Sequence, residues 1–391
     1  SVYEYHLEYL TKLLEYARKY KMEPFIVLET TRGCPYKCVF CEWGGGINTK
    51  IYKKSLDIVK RDITAMLKAG YRSAYLNDAN FGAFFERDFE ILEYAWTNGF
   101  NLTDISTMKS KDLSRRKKLI DKYFEIVGTN YASPNMKNGK NMWSEMANIS
   151  IVPSVSIQSS SDIAMKIAER VDLNTEDKLE LSKHINEQCS KHGFPIPNLE
   201  MILAMPGSTI DDFYNEMEYI WNFKSFGSYR HDYMFLPDSA LNSQEYKIKY
   251  DIRTVEVYTD IADEQGIDSW NNLYKNKKSY FKTISSCFSF TIEEMHEMWF
   301  MNSAGNYLLQ HFYPMLENSV SPSVFTKKAY EAISKLDSWD DIYSEIRDIF
   351  NPNSQPKSIK VLNQEFRANT INKFIEKNRH IIMSEVSKEC L

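Results

Sequence analysis

The sequence predicts an α/β fold followed by a mostly helical region, and three observations carry that prediction. Apolar segments of strand and helix character alternate six times between residues 24 and 237. Beyond Pro237 strand signals thin out and helical spacing takes over. At 391 residues the chain is long enough for one large domain with an appendage, or for two domains. The expected divisions are an N-terminal linker helix over 1–23, the α/β part over 24–237 and the helical region over 238–391.

Residues 9–20 carry Leu10, Leu13, Leu14 and Ala17 at helical spacing, which predicts a short amphipathic helix. Residues 24–31 are an apolar run with a β-branched bias, read as the first strand, and a cysteine-rich loop leaves its C-terminal end. A helix over 55–69 places Leu56, Val59, Ile63, Met66 and Leu67 on one face and stops at Gly70. A strand over 72–77 and a helix over 87–96 follow, then a strand over 102–108 and a helix over 117–127. The stretch 130–140, rich in Asn, Pro and Gly, reads as a loop. Strands over 152–158, 198–204 and 229–236 alternate with helices over 176–192 and 210–223. Parallel units of this kind gather functional loops at the C-terminal ends of strands, where the cysteine loop falls. Past Pro237, helices are expected over 254–264, 292–309, 326–334, 339–349 and 366–387, with 351–357 as a linker.

Hydrophobic residues make up 43% of the chain and aromatics 14%, which supports a sizeable core and argues against global disorder. A net charge of −5 argues against a nucleic-acid-coating protein. No apolar run approaches the ~20 residues that span a bilayer. With no signal peptide in the sequence, a reducing, cytoplasmic compartment is expected.

The most specific feature is the trio Cys34, Cys38 and Cys41, spaced CxxxCxxC, with Phe40 just before the last. Three thiolates in one short loop hold one metal centre but do not complete a four-coordinate cage. A zinc knuckle needs a fourth ligand nearby, yet the next cysteine is Cys189 and the next histidine after His6 is His184. A disulfide reading leaves one cysteine unpaired. An iron–sulfur cluster with one iron open to a non-protein ligand is therefore preferred over zinc.

This motif resembles the signature of the radical S-adenosylmethionine (SAM) superfamily. The resemblance implies a partial (β/α)6 barrel for the six units and a 4Fe–4S cluster on Cys34, Cys38 and Cys41. It also implies SAM chelated at the open iron and cleaved reductively to methionine and a 5′-deoxyadenosyl radical. An external one-electron donor of flavodoxin or ferredoxin type is implied as partner.

Four other segments resemble the family. Asp78 and Asn80, in the run DANFG, resemble the segment that receives the SAM amino group in the cobalamin-associated branch; as residues alone they read equally as caps of a strand-to-helix turn. Ser154, Ser156 and Gln158 alternate onto one strand face. Ser156 and Gln158 resemble residues that contact the SAM ribose and methionyl part. Arg170, on its own a solvated helix residue, resembles a basic group facing the SAM carboxylate. The segment 200–207 resembles a fifth strand whose backbone lines the adenine together with Phe40, although Ala204 stands where the family has Gly. Glu200, if inward, must be paired or touch ligand. Residues 235–240 and 245–252 resemble the end of the barrel in cobalamin-dependent members.

Those members carry an N-terminal cobalamin-binding domain, whereas here the first motif cysteine stands at position 34. The domain is expected to be absent or to act as a separate chain, and cobalamin has no support in this sequence. Cys189, Cys287 and Cys390 are isolated; Cys189 reads as core and Cys287 as a structural thiol, with a radical quencher or a substrate contact as the alternatives. The expected function is a radical SAM enzyme abstracting hydrogen from an unidentified substrate. The alternatives are a cobalamin-partnered methyltransferase and an iron–sulfur redox or sensor protein that leaves SAM intact.

Overall fold

The computed structural model describes residues 1–20, 26–34, 36–42, 50–103, 112–130, 136–137, 140–141, 155–170, 173–194, 196–197, 199–226, 229–260, 278–316, 320–358 and 364–390. The chain divides into two units. One comprises Ser1–Lys37, Ile47–Ser156 and Val171–Pro197; the other comprises Cys38–Gly46, Ile157–Arg170 and Asn198–Leu391.

The first unit holds a parallel sheet in the order β1 (Val27–Leu28), β2 (Ser73–Leu76), β3 (Asn101–Thr103). Val27 stands opposite Tyr75, and Ser73 opposite Asn101. The helix Leu56–Ala69 connects β1 to β2 and buries Val59, Ile63 and Met66, the expected stripe. Ser55 caps it by accepting from the Ile58 N–H, and Gly70 ends it at φ 99°, a conformation that glycine adopts without a Cβ penalty. The leading helix Leu7–Lys19 buries Leu10, Leu14 and Ala17, while Leu13 faces out.

The first strand is shorter than the sequence suggests. The Asp78 carboxylate takes the N–H groups of Thr30 and Thr31, which ends the parallel pairing at Leu28. Thr31–Arg32 then pairs antiparallel with Tyr52–Lys53, so a two-residue ladder closes the base of the cysteine loop.

In the second sheet, β4 (Val155–Gln158), β5 (Leu199–Leu203) and β6 (Tyr229–Asp232) take the order β6-β5-β4, with β5 and β6 parallel. The first two residues of β4 belong to the first unit. Each of the six strands expected between 24 and 237 thus has a described strand at its place. Their outlying parts, including 24–25, 104–108 and Ser154, lie outside the described residues.

One expectation is corrected. Residues 254–264 were expected to form a helix, yet β7 (Arg253–Asp260) is a strand, paired antiparallel with β8 (Lys278–Ser286). Its period is two: Val255 and Val257 are buried and Glu256 is exposed. Its β-branched and aromatic residues suit a half-buried pleated surface. Lys357, the last residue of the expected linker, and Ser358 after it pair with the same strand. The final helical segment is two helices, Gln364–Lys377 and Arg379–Cys390, broken at Asn378.

Helix Ile292–His311 begins at a capping box of Thr291 and Glu294 and is buried on most of its circumference, including Met295, Phe300, Ala304 and Leu308. It forms the centre of the second unit's core. Among the described residues, no helix is long and apolar enough to cross a membrane.

Candidate functional site

The cysteine loop begins in the first unit. Gly33, at φ 94°, turns the chain out of the two-residue ladder and into Cys34, which is buried. Asn80, also buried, donates from Nδ2 to Cys34 Sγ at 2.9 Å. The resemblance gives Asn80 a contact with the SAM amino group; the contact it makes here is with the Cys34 sulfur.

The Asp78 carboxylate is engaged at the root of the cysteine loop. One carboxylate oxygen accepts from Thr30 N at 2.6 Å and Thr31 N at 3.1 Å, and the other from Thr30 Oγ1 at 2.5 Å and Thr31 Oγ1 at 2.8 Å. A carboxylate offers roughly four acceptor positions, and these are used within the protein. Through these bonds Asp78 positions the root of the cysteine loop.

Arg87 ties the same corner together. Its guanidinium donates to Thr30 O at 2.8 Å, to Lys54 O at 3.0 Å and to Asp88 Oδ1 at 2.8 Å. Asp88 Oδ2 accepts from Gly82 N at 2.8 Å and Phe84 N at 3.1 Å, which holds the turn after Asn80. Burial pushes the Asp88 carboxyl up to about 6, against the opposing pull of these donors. A folded-state value raised from an unfolded value near 4 stabilises the fold at low pH, and that stability is lost as pH rises through 6. Urea unfolding from pH 4 to 7 should therefore show a decline on the order of 3 kcal/mol attributable to this group. The Asp88→Asn chain should show a flatter profile.

Cys38 and Cys41 belong to the second unit. They lie on a turn closed by Cys41 N to Cys38 O at 3.0 Å. Val39 between them donates to Ala168 O and accepts from Leu241 N, both at 3.0 Å. Cys38 is buried, while Cys41 and Phe40 are half-buried. The segment 235–240, singled out from sequence, thus leads directly into the residue that holds this turn.

On β4, Gln158 is buried at φ 70° and Ser156 is half-buried. Arg170 is buried just past the short helix Asp162–Ile167, which corrects the solvated-face alternative. Glu200 alternates with buried Leu199 and Met201 and is half-buried on the opposite face of β5. Ala204 sits at φ 57°, in the left-handed region, which gives a backbone reason for a glycine there. Ala204→Gly should raise stability by about 0.5–1 kcal/mol, read as a higher urea midpoint at unchanged slope. Gly207, at φ 98°, admits no side chain: an added Cβ would stand 2.9 Å from Ala164 N.

Sequence reasoning missed three features. Thr30 and Thr31 precede the motif and carried no signal beyond their polarity. Glu216 and Arg230 form a buried ion pair at 2.6 Å, and Glu216 also accepts from Ser160 N at 2.9 Å. Glu216 stands on the buried stripe of helix Ile210–Asn222 with Phe213, Met217 and Ile220, so a charged residue at apolar spacing was its visible sign. Asp232 ends β6, and burial pushes its carboxyl up to about 7.

Among the described residues no group of three or more His, Cys, Asp or Glu is gathered as a metal-binding set. The residues present nevertheless fit the implied cluster in their chemistry. Cys34 and Cys38 are shielded from solvent, and a buried amide N–H already points at the Cys34 sulfur.

No family model matches the chain. Two curated proteins are similar. The cobalamin-dependent radical SAM methyltransferase TokK of Streptomyces tokunonensis is 23% identical over 233 residues, covering 59% of this chain and 31% of TokK. The 2-(S-pantetheinyl)-carbapenam-3-carboxylate methyltransferase of Streptantibioticus cattleyicolor is 23% identical over 237 residues, again 59% of this chain and 31% of that protein. The match thus spans about a third of the curated relatives' length. Among solved structures, the methyltransferase TsrM from Kitasatospora setae, with cobalamin and a 4Fe–4S cluster bound, shows 11% identity and a TM-score of 0.47 over 86% of this chain and 62% of that one. The cobalamin-dependent SAM radical enzyme OxsB, with aqua-cobalamin and SAM bound, shows 10% identity and a TM-score of 0.44 over 96% and 59%. By its cysteine motif and its sequence relatives, this chain resembles the radical SAM portion of the cobalamin-dependent members of the radical SAM superfamily.

Proposed function

We propose that the chain is a radical SAM enzyme that reductively cleaves SAM at a 4Fe–4S cluster held by Cys34, Cys38 and Cys41. The observation that carries this reading is the three-cysteine loop, whose first thiol is buried and hydrogen-bonded by Asn80. Such a cluster supplies, when bound, an open iron for SAM and the electron for its cleavage.

The protein's own residues position and insulate. Asn80 withdraws charge from the Cys34 sulfur, a lever on cluster potential. Thr30, Thr31 and Asp78 fix the loop root, and Val39 fixes the Cys38–Cys41 turn. Phe40 and the backbone of 204–207 contact the adenine, Ser156 and Gln158 the ribose and methionyl part, and Arg170 the SAM carboxylate. Glu200 completes the SAM-binding set. The six strand–helix units form the partial barrel, which shields the radical from water.

Methyl transfer is the second reading, favoured by the two curated relatives, each named a methyltransferase. It requires cobalamin, held by a domain outside this sequence or by a separate chain. One experiment separates the readings. The anaerobically reconstituted protein, given dithionite and SAM, should release 5′-deoxyadenosine. Stoichiometric uptake of hydroxocobalamin, with methylation of a substrate pool, supports the methyltransferase. SAM that stays intact throughout overturns both in favour of a redox or sensor protein.

A further inference from the structure

We propose that the exposed tyrosine stripe on the leading helix Leu7–Lys19 is the surface through which two copies of this chain pair, their helices lying antiparallel about a twofold axis. The proposal stands on the first unit alone and is independent of the radical SAM reading.

Of the fifteen large hydrophobic side chains exposed among the described residues, six lie within the first twenty positions. Val2 and Tyr5 belong to the short helix Val2–Tyr5, and Tyr9, Leu13 and Tyr16 to Leu7–Lys19, which Tyr20 ends. At 100° per residue, Tyr9, Leu13, Tyr16 and Tyr20 fall within about 60° of one another around the axis. Leu10, Leu14 and Ala17 lie about 100° round from them. Those three are buried, and the helix packs on Leu56–Ala69. The helix thus has one apolar face in the core and a second in solvent. Its support is fixed, because the Tyr3 hydroxyl donates to Val27 O and the Ser1 hydroxyl to the buried Asp62.

Single exposed apolar residues are ordinary, whereas a contiguous stripe marks an interface. The four tyrosines are between 54% and 85% exposed. At about 200 Å² for a whole tyrosine side chain, the six residues offer roughly 700 Å² per copy. Two copies face to face would bury about 1,400 Å², inside the range of specific, stable interfaces. Tyrosine suits such a surface, since its ring packs while its hydroxyl both donates and accepts.

Charge selects a second copy as the occupant and sets its direction. The flank of the stripe away from the buried face carries Glu8, Lys12, Glu15 and Lys19, all exposed, with Lys12 on Glu8 at 2.6 Å. Antiparallel helices place this flank against the same flank of the partner. The order acid, base, acid, base then meets its own reverse, so Glu8 faces Lys19 of the other copy and Lys12 faces its Glu15. A self-complementary patch of this kind closes as a twofold dimer.

Sedimentation equilibrium of the full chain tests the proposal. The wild type should be dimeric at about 10 μM and above. Tyr9→Glu/Tyr16→Glu, two exposed positions, should keep its circular dichroism and weaken the dimer at least about a hundredfold. Lys12→Glu/Lys19→Glu sets like charges together and should weaken it about tenfold. Adding Glu8→Lys/Glu15→Lys to that variant reverses every sign and should restore the wild-type constant. A wild type that stays monomeric at about 100 μM overturns the proposal, whatever the variants do. A dimer indifferent to Tyr9→Glu/Tyr16→Glu overturns it as well, and so does a monomer whose stripe becomes protected only by a different protein. Failure of the four-charge reversal to restore pairing overturns the antiparallel arrangement.

Discussion

Cys38→Ala is expected to abolish both cluster retention and release of 5′-deoxyadenosine, with the fold intact. Two thiolates remain after the change, too few to hold the centre against loss to solvent. The turn itself should survive, because it is closed by the backbone of Cys38 and Cys41 and anchored through the backbone of Val39 to Ala168 and Leu241. A buried cysteine acts as a small apolar group, so its truncation removes little packing. Iron and sulfide content should fall with activity while circular dichroism stays unchanged. Cleavage that persisted in Cys38→Ala would show that these cysteines do not hold the reacting centre.

The largest effect on stability is expected at Glu216. Its side chain is 5% exposed and that of Arg230 1%. Glu216 Oε2 accepts from Arg230 Nε at 2.6 Å, and Oε1 accepts from the backbone and hydroxyl of Ser160. The guanidinium also donates to Phe213 O at 3.2 Å and lies over the Phe213 ring, and among the described residues no other carboxylate pairs with it. Glu216→Ala leaves that charge buried without its counter-ion, at a cost of about 3–5 kcal/mol. Glu216→Leu combined with Arg230→Met should recover most of the loss, since a matched apolar pair avoids desolvating either charge. Urea unfolding of the single and double variants measures both. A single-variant loss below about 1 kcal/mol would mean that the pair is solvated or dispensable. The effect reaches the candidate site, because Ser159 and Ser160 follow Gln158 directly.

What the sequence made legible follows from how locally each feature is specified. The strands β1, β2 and β5 fall in short, largely apolar runs, and the helix Leu56–Ala69 carries its stripe and its Gly70 stop in adjacent residues. The cysteine motif is complete within eight positions, from Cys34 to Cys41. Features that depend on distant partners were not legible. The bonds from Thr30 and Thr31 to Asp78, for instance, join residues 48 and 47 positions apart and are visible only in the fold. The strand β7 was hidden because its pairing partner β8 begins at Lys278, far along the chain, and a lone stretch of mixed polarity fits more than one period. Ala204 was visible as a departure from pattern, but its reason, a left-handed backbone, belongs to the fold.

The central claim is that the three-cysteine loop holds a cluster whose open iron takes SAM. Electron paramagnetic resonance of the anaerobically reconstituted, dithionite-reduced protein tests it most directly. The account predicts a reduced 4Fe–4S signal that shifts when SAM is added and is missing from Cys38→Ala. A signal indifferent to SAM, or a protein that takes up zinc and no cluster, would contradict it.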